Sequence, residues 1–259
     1  MIKKFQSIKS KASSLSLLLM LLAVWQLVCS LELVPPFLLP SPVSVVRAFA
    51  ADFVPIMGHA VVSLTEAFAG LSLGVAGAFM LAVLMDRSNY LYRALYPIML
   101  ITQTVPTVAL APLLVLWMGY GAAPKIVLVF LVCFFPVAVG LLDGFREADP
   151  DAIVLLRSMG ARESQIFLHL KLPGALPRLF SGLRIAVSYA IVGAVIAEWL
   201  GGSSGLGVYM TRVRKSYAFD KMFAIIFFVS GLSILLMRLT AWLEKKMTPW
   251  ARQGDGKES

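Results

Sequence analysis

Charged, thiol and imidazole side chains are scarce in this chain of 259 residues, and each scarcity excludes a class of protein. Charged residues make up 14% of the sequence, and there are two cysteines and two histidines. Cys29 and Cys133 both lie within apolar runs, so we expect neither a disulfide framework nor a cysteine metal site. The motif G-x-x-x-x-G-K, whose backbone amides bind nucleotide phosphates, does not occur.

Apolar residues are what the chain has in abundance. Hydrophobic residues account for 59% of the sequence, and the mean hydropathy is +0.84. One soluble core of ordinary size cannot bury that much apolar surface, so lipid must cover part of it. The net charge of +9 would suggest nucleic-acid binding in a soluble protein, but Lys and Arg also collect on the cytoplasmic side of membrane proteins. We therefore predict one all-α membrane domain and no nucleic-acid partner.

Six apolar segments are long enough to cross a bilayer as helices. A helix rises about 1.5 Å per residue and needs roughly 20 apolar residues to span the hydrocarbon layer. The segments are Leu15–Val34, His59–Met85, Tyr96–Met118, Ala123–Leu142, Ser181–Leu200 and Met222–Leu243. The first follows a basic start, as in a signal peptide, but it lacks the small residues of a cleavage site and is predicted to be retained.

The distribution of Lys and Arg predicts the orientation of these six segments. Seventeen of the 23 basic residues fall on one side, which includes both termini. Because basic loops stay in the cytoplasm, both termini are expected there. Residues 1–14 and 246–259 are then cytoplasmic tails, residues 15–245 form the transmembrane domain, and residues 143–180 are its longest cytoplasmic loop.

The loop 143–180 is predicted to contain a helical hairpin. Asp149 followed by Pro150 is typical of a helix start, and Gly160 is a natural left-handed terminator. A second helix is expected to begin near Arg162 and to end before Pro173. The first helix has an apolar ridge formed by Ile153, Leu156 and Met159. Such a ridge either packs on its own bundle or docks in a groove of a partner.

The sequence of this loop resembles the signature of permease subunits in bacterial binding-protein-dependent ABC importers. That signature reads roughly Glu-Ala-Ala, three residues, Gly, nine residues, Ile, one residue, Leu-Pro. The chain matches at Gly160, at the spacing and at Leu172-Pro173, with Leu170 in place of isoleucine. Val154-Leu155-Leu156 replaces Glu-Ala-Ala, as is common in the branch that serves sulfonates, nitrate, taurine and thiamine precursors. The resemblance extends from about Pro35 to Trp250.

The resemblance implies a type I importer permease fold with six transmembrane helices, in the bacterial inner membrane. It implies that residues 152–160 form a coupling helix that contacts a separate ATP-binding cassette subunit, which would bind ATP and magnesium. This chain would then carry no cofactor and no metal of its own. The other partners would be an extracytoplasmic solute-binding protein and a second copy of the permease. The residues assigned to the coupling contact are Ile153, Leu156, Arg157, Ser158, Met159, Gly160, Ala161, Leu172 and Pro173.

Candidate residues for a solute pathway come from polar side chains within the apolar segments. Glu66 continues a stripe of small residues, so it faces protein or water, either paired between helices or in contact with solute. Glu198 lies inward at the outer end of its segment and could contact solute or the docked binding protein. Gln103 and Thr104 precede Pro106, where a broken helix lines a solute path or is a simple kink. Tyr189 could supply an aromatic wall.

Two other functions fit the composition less well. An ion-coupled carrier predicts charge pairs within the membrane and an inverted repeat, but Glu66 and Glu198 have no evident mid-membrane cation and no repeat is visible. A membrane-embedded enzyme needs a catalytic group, and His59 and His169 are predicted on opposite sides of the membrane. The segments around Gln103 and Glu198 look most similar to permeases for the pyrimidine precursor of thiamine. Sulfonate, nitrate or taurine is the alternative solute.

Overall fold

The computed structural model describes residues 2–250, without the side chains of residues 2–15 and Gly201. Within these residues every regular element is helical, which confirms the all-α prediction. The helices are α1 Ile2–Ser30, α2 Pro42–Ala51, α3 Phe53–Arg87, α4 Asn89–Gln103, α5 Thr107–Met118, α6 Ala123–Arg146, α7 Pro150–Ser158, α8 Glu163–Ile166, α9 Leu172–Gly201, α10 Leu206–Lys215 and α11 Phe219–Met247. A π-helical turn, Phe167–Lys171, joins α8 to α9.

Four helices among the described residues are long and apolar enough to cross a membrane: α3, α6, the continuous helix Glu163–Leu200 and α11. A fifth candidate is the pair α4 and α5, which meet at a bend of 99°. The first predicted segment, Leu15–Val34, corresponds to an apolar helix Ser16–Ser30. Ser16–Ser30 is the part of α1 whose side chains are described, and it is shorter than the roughly 20 residues a span needs, so the sixth crossing stays a prediction.

The structure describes most residues of the predicted N-terminal tail but few of the predicted C-terminal tail. The backbone of α1 is already helical from Ile2, so residues 1–14 are largely the beginning of a helix. At the other end α11 continues to Met247, and residues 251–259 of the predicted tail lie outside the described residues. The cytoplasmic location of both termini stays a prediction.

The chain divides into two compact units. One comprises residues up to 58 together with 209–228, and the other comprises 59–208 together with the remainder. In the first unit Trp25 packs on Phe223 and Phe227, with ring centroids 6.2 and 5.8 Å apart. The second unit is centred on α6 and α9. These helices approach closely because Gly182 has no side chain: a Cβ at this position would lie 2.3 Å from the carbonyl oxygen of Pro136. A small residue is required at that crossing.

The second helix of the hairpin in loop 143–180 does not end before Pro173, contrary to the sequence prediction. It passes through the π-helical turn into α9, with Pro173 in the first turn of that helix. The amide of Leu172 donates to the carbonyl of Phe167, five residues back. This shift of hydrogen-bond register accommodates a proline, which has no amide hydrogen to donate. The hairpin is thus continuous with a membrane-spanning helix.

Candidate solute pathway and coupling hairpin

The start and end of α7 follow the predicted local chemistry. The Asp149 carboxylate accepts the amide of Asp151 at 2.9 Å, and Pro150 occupies the first helical position. Gly160 ends the helix with φ of +85°, a conformation that costs glycine little because it has no Cβ. Both capping predictions are confirmed. The chain therefore turns sharply at Gly160 and leads directly into the second arm of the hairpin.

The apolar face that α7 exposes differs from the predicted ridge. Ile153 and Leu156 are half-buried, whereas Val154, Leu155 and Met159 are 60%, 61% and 75% exposed. Leu156 and Met159 also line a cavity of about 290 Å³ beside Gly160, Ala161, Gln165 and His169. The periodicity identified the helix correctly, but the inward and outward faces depend on how the hairpin closes, which periodicity alone does not determine.

Ion pairs fasten the hairpin to neighbouring helices of the same unit. Lys171 lies 2.8 Å from Asp86, near the end of α3, and both side chains are mostly buried. Arg178 on α9 pairs with Glu147, which follows α6. Leu172 and Pro173 are half-buried beside these pairs. The hairpin is therefore tied by ion pairs to α3 and α9 on the side predicted to be cytoplasmic.

The break between α4 and α5 is wider than a simple kink. Pro106 lies immediately before α5, and the Thr104 hydroxyl donates to the carbonyl of Ile101 at 2.8 Å. The break opens beside a cavity of about 280 Å³. Its lining is Thr102, Gln103, Val105, Thr107, Leu110, Leu131, Val132, Tyr189, Val192, Gly193 and Ile196. The cavity has hydroxyl, amide and phenol groups on an apolar wall, and none of the described residues that line it is charged.

Glu66 lies away from this cavity, in a buried ion pair. Its Oε1 is 2.7 Å from Nζ of Lys125, near the start of α6, and the two residues are 5% and 4% exposed. No cation was expected beside Glu66 from the sequence, so this pair was not predicted. The signal that could have found it is the position of Lys125 in the first turn of a helix that packs against the small-residue stripe of α3, where Gly70 leaves room for Val129.

Glu198 is also buried, with 1% of its surface exposed. Its hydrogen bonds connect α9 to α3 and to the start of α10. Its Oε1 accepts the hydroxyl of Ser63 at 2.6 Å, and its Oε2 accepts the amide of Gly207 at 2.6 Å. The Ser63 oxygen accepts the amide of Leu206 at 2.8 Å, and Nδ1 of His59 accepts the amide of Gly205 at 3.0 Å. Sequence analysis predicted the inward direction of Glu198 but not its partners on α3.

Of the five predicted pathway residues, the structure brings two together. Gln103 and Tyr189 line the same cavity, whereas Thr104 is exposed at the helix break without lining it. Glu66 and Glu198 point into protein and have partners. Within the described part of the chain, no group of three or more His, Cys, Asp or Glu side chains could hold a metal ion.

A second polar cluster lies outside the predicted spans, in the smaller unit. The Asp52 carboxylate accepts Nζ of Lys221 at 2.7 Å and also accepts the hydroxyl of Tyr209. The hydrogen bond from Lys221, followed by that from Tyr209, lowers the pKa of Asp52 below its ordinary value. Burial and the hydrogen bond to Asp52 raise the pKa of Tyr209. This cluster therefore keeps Asp52 ionised and Tyr209 protonated at neutral pH.

Comparison with known proteins identifies the class to which this architecture belongs. The family described as "Binding-protein-dependent transport system inner membrane component" matches residues 70–249. The formylaminopyrimidine transport permease protein ThiX of Halalkalibacterium halodurans is 35% identical over 91% of this chain and 94% of its own length. The taurine transport system permease protein TauC of Escherichia coli is 31% identical over 92% and 89% of the two chains.

A solved structure gives the same result for the fold. An inward-facing structure of the MetNI methionine ABC transporter matches 72% of this chain and 93% of its own with a TM-score of 0.63, at 20% sequence identity. At that identity the match concerns the fold, whereas the family match and the two relatives concern the whole permease domain. The chain belongs to the family of binding-protein-dependent transport system inner membrane components and is the permease subunit of an ABC importer.

Proposed function

We propose that two copies of this chain form the solute path of an importer whose ATP is hydrolysed by a separate subunit docked on α7. The observation that supports this is the exposed apolar face of Val154, Leu155 and Met159 on a short helix, in a hairpin that ion pairs tie to α3 and α9. Exposed apolar surface of this kind marks a protein or membrane contact, and we assign it to the ATP-binding subunit. ATP and magnesium would bind to that partner and not to this chain.

The proposed mechanism is alternating access. A binding protein delivers solute on the extracytoplasmic side, opposite the hairpin, and both termini lie in the cytoplasm. Closure of two ATP-binding subunits moves the two copies of α7 together. Because the hairpin is continuous with α9, that movement reaches the helix whose Tyr189 and Gly193 line the cavity. ATP can shift the equilibrium only by binding the two states with different affinity.

The cavity favours a neutral or weakly basic heterocycle as solute. A sulfonate or nitrate ion in an apolar cavity would need a cationic partner, and among the described residues that line this one none is charged. Tyr189 and Gln103 offer a ring face and an amide. Glu66 and Glu198 do not line this cavity, and Glu66 is paired with Lys125, so their charges do not decide the choice of solute. A thiamine pyrimidine precursor is therefore the solute we propose, and the formylaminopyrimidine permease among the relatives supports it.

Uptake into proteoliposomes tests the solute. The permease, its ATP-binding subunit and its binding protein would be reconstituted, and ATP-dependent import of a radiolabelled aminopyrimidine would be compared with that of taurine. We expect import of the pyrimidine. Import of taurine alone would contradict the proposed solute and favour the sulfonate alternative, while the permease function would stand.

Co-purification tests the coupling contact. The permease should carry an ATP-binding subunit through affinity purification, and replacement of Gly160 by valine should abolish solute-stimulated ATP hydrolysis, since a β-branched residue cannot adopt φ of +85° without strain. Gly160→Asn is the matched control, because asparagine tolerates the left-handed region. Equal activity of both variants would contradict a role for this turn in coupling.

A further inference from the structure

In the glycine-rich connection between α9 and α10, backbone amides donate hydrogen bonds to side chains of α3 and α9. The first amides of a helix have no partner within it and need external acceptors. Those of Gly205, Leu206 and Gly207, at the start of α10, are accepted by His59, Ser63 and Glu198 respectively. Gly205 has no side chain with which to cap its own helix. We call His59, Ser63 and Glu198 the remote cap.

The fit of the connection to the remote cap is close. A Cβ at Gly205, where φ is +123°, would lie 2.2 Å from Cδ of Glu198, and a Cβ at Gly207 would lie 2.2 Å from the carbonyl oxygen of Val195. Each glycine therefore permits direct contact between backbone and α9. The carboxylate of Glu198 also meets the positive end of the α10 dipole, where a negative charge is stabilising.

The remote cap joins the wall of the solute cavity to two further elements. Tyr189, Val192, Gly193 and Ile196 of α9 line the cavity, and Glu198 follows within a turn. His59 and Ser63 are four residues apart, so they lie on one face of α3. The connection has one exposed serine, Ser203, but its amides at positions 205–207 are fully engaged.

We propose that Glu198 is a positioning residue for transport, which acts through the remote cap to make α9, α3 and the start of α10 move as one body. The inference rests on the proposed function and adds a role to a residue that does not line the solute cavity. With the cap intact, displacement of α9 carries the connection and α3 with it. Without the cap, α9 moves alone and ATP hydrolysis no longer yields efficient solute passage.

Two variants weaken the cap with little change of volume. Glu198→Leu has no acceptor oxygen, so neither the hydroxyl of Ser63 nor the amide of Gly207 finds its acceptor there. Ser63→Ala leaves the amide of Leu206 without its acceptor. The matched control is Thr65→Ala, two residues away on α3, whose hydroxyl donates only within its own helix to Val61 at 2.7 Å.

The test combines transport with a direct measure of the connection. In reconstituted complexes, both cap variants should import about tenfold less solute per ATP hydrolysed, and Thr65→Ala should match the wild type. A loss of folded protein would instead lower ATP hydrolysis and uptake together. A nitroxide label on Ser203→Cys, with Cys29 and Cys133 replaced by serine, should become at least about twofold more mobile in both cap variants.

The inference is overturned if the label is equally immobile in cap variants and wild type, or if uptake per ATP is unchanged. The label measurement does not depend on the solute. If the wild-type complex imported neither solute, the proposed function would fail, while the spectra would still decide whether the cap holds the connection.

Discussion

At the scale of single residues, Glu66 and Lys125 form the most buried ion pair in the described part of the chain. Both residues are at most 5% exposed. Removal of one charge from such a pair leaves the other desolvated and unpaired, which costs more than the intact pair contributes. The stability of the pair is therefore best measured by comparing single and double replacements.

Replacement of Glu66 by alanine should destabilise the complex by about 3–5 kcal/mol, because Lys125 would remain buried without a partner. The double variant Glu66→Leu/Lys125→Met should recover most of that loss. Thermal unfolding of the purified complex in detergent measures both. Glu163→Ala is the control: its partner Arg157 and Glu163 itself are more than half exposed, and such pairs contribute about 1 kcal/mol or less. A double variant as unstable as the single one would contradict this account.

The cluster at Asp52 gives a pH prediction outside the spans. The folded state lowers the pKa of Asp52 below the ordinary value of 3.8, so the ionised form stabilises the fold at and above that pH. The contribution is lost as pH falls below 3.8 through the lowered pKa. The unfolding temperature of Asp52→Asn should therefore lie below that of wild type at pH 7 and approach it as pH falls below 3.8. A constant difference over this range would show that Asp52 acts through packing instead.

Sequence reasoning at the residue scale succeeded where the chemistry is local. Asp149 and Gly160 were identified from their own propensities at the ends of α7. It failed where partners come from distant elements, as with Lys125 opposite Glu66 and Ser63 opposite Glu198. A polar residue in an apolar segment indicates that a partner exists, but only the packing of helices determines which residue it is.

At the scale of elements, the approach of α3 to α6 depends on glycine at position 70. A Cβ added there would lie 2.5 Å from Cβ of Val129 and 2.7 Å from the carbonyl oxygen of Ile126. The backbone oxygen cannot rotate away as a side chain would. The helices would have to separate, and the ion pair between Glu66 and Lys125, one turn distant along α3, would be stretched with them.

Gly70→Ala should therefore destabilise the protein by about 1–3 kcal/mol, the usual cost of overpacking. Gly58→Ala on the same helix is the matched control, since a Cβ there meets nothing within 4 Å and alanine favours helix by up to about 1 kcal/mol. Unfolding temperatures of the two variants should move in opposite directions. A shift of both in the same direction would show that helix propensity, and not the crossing, dominates.

Element boundaries were predicted less well than element types. A broken helix or a simple kink was predicted before Pro106, and the structure has a break between Gln103 and Thr107. The continuation of a helix through Pro173 was not expected, because a proline inside a helix removes a hydrogen bond and ordinarily breaks the helix. The π-helical turn that removes the conflict depends on the hairpin packing beside α6, which no local pattern in the sequence specifies.

At the scale of the whole molecule, orientation in the membrane is open to direct measurement. In a background with Cys29 and Cys133 replaced by serine, single cysteines would be introduced at Ser203 and Ser158, both exposed. A membrane-impermeant thiol reagent added to intact spheroplasts should label position 203 and leave position 158 unlabelled until the membrane is permeabilised. The reverse pattern would put the hairpin on the extracytoplasmic face and contradict the proposed docking of the ATP-binding subunit there.

The helix Glu163–Leu200 has a geometric property that follows from its closest crossing with α6. Gly182, where a Cβ would meet Pro136 at 2.3 Å, lies near its middle, about 28 Å along the axis from Glu163 and about 24 Å from Glu198. A rigid helix that tilts about this crossing point moves its two ends, its arms, in opposite directions by nearly equal distances. Convergence of two copies at the hairpin arms therefore requires divergence at the Glu198 arms, and no hinge within the helix is needed.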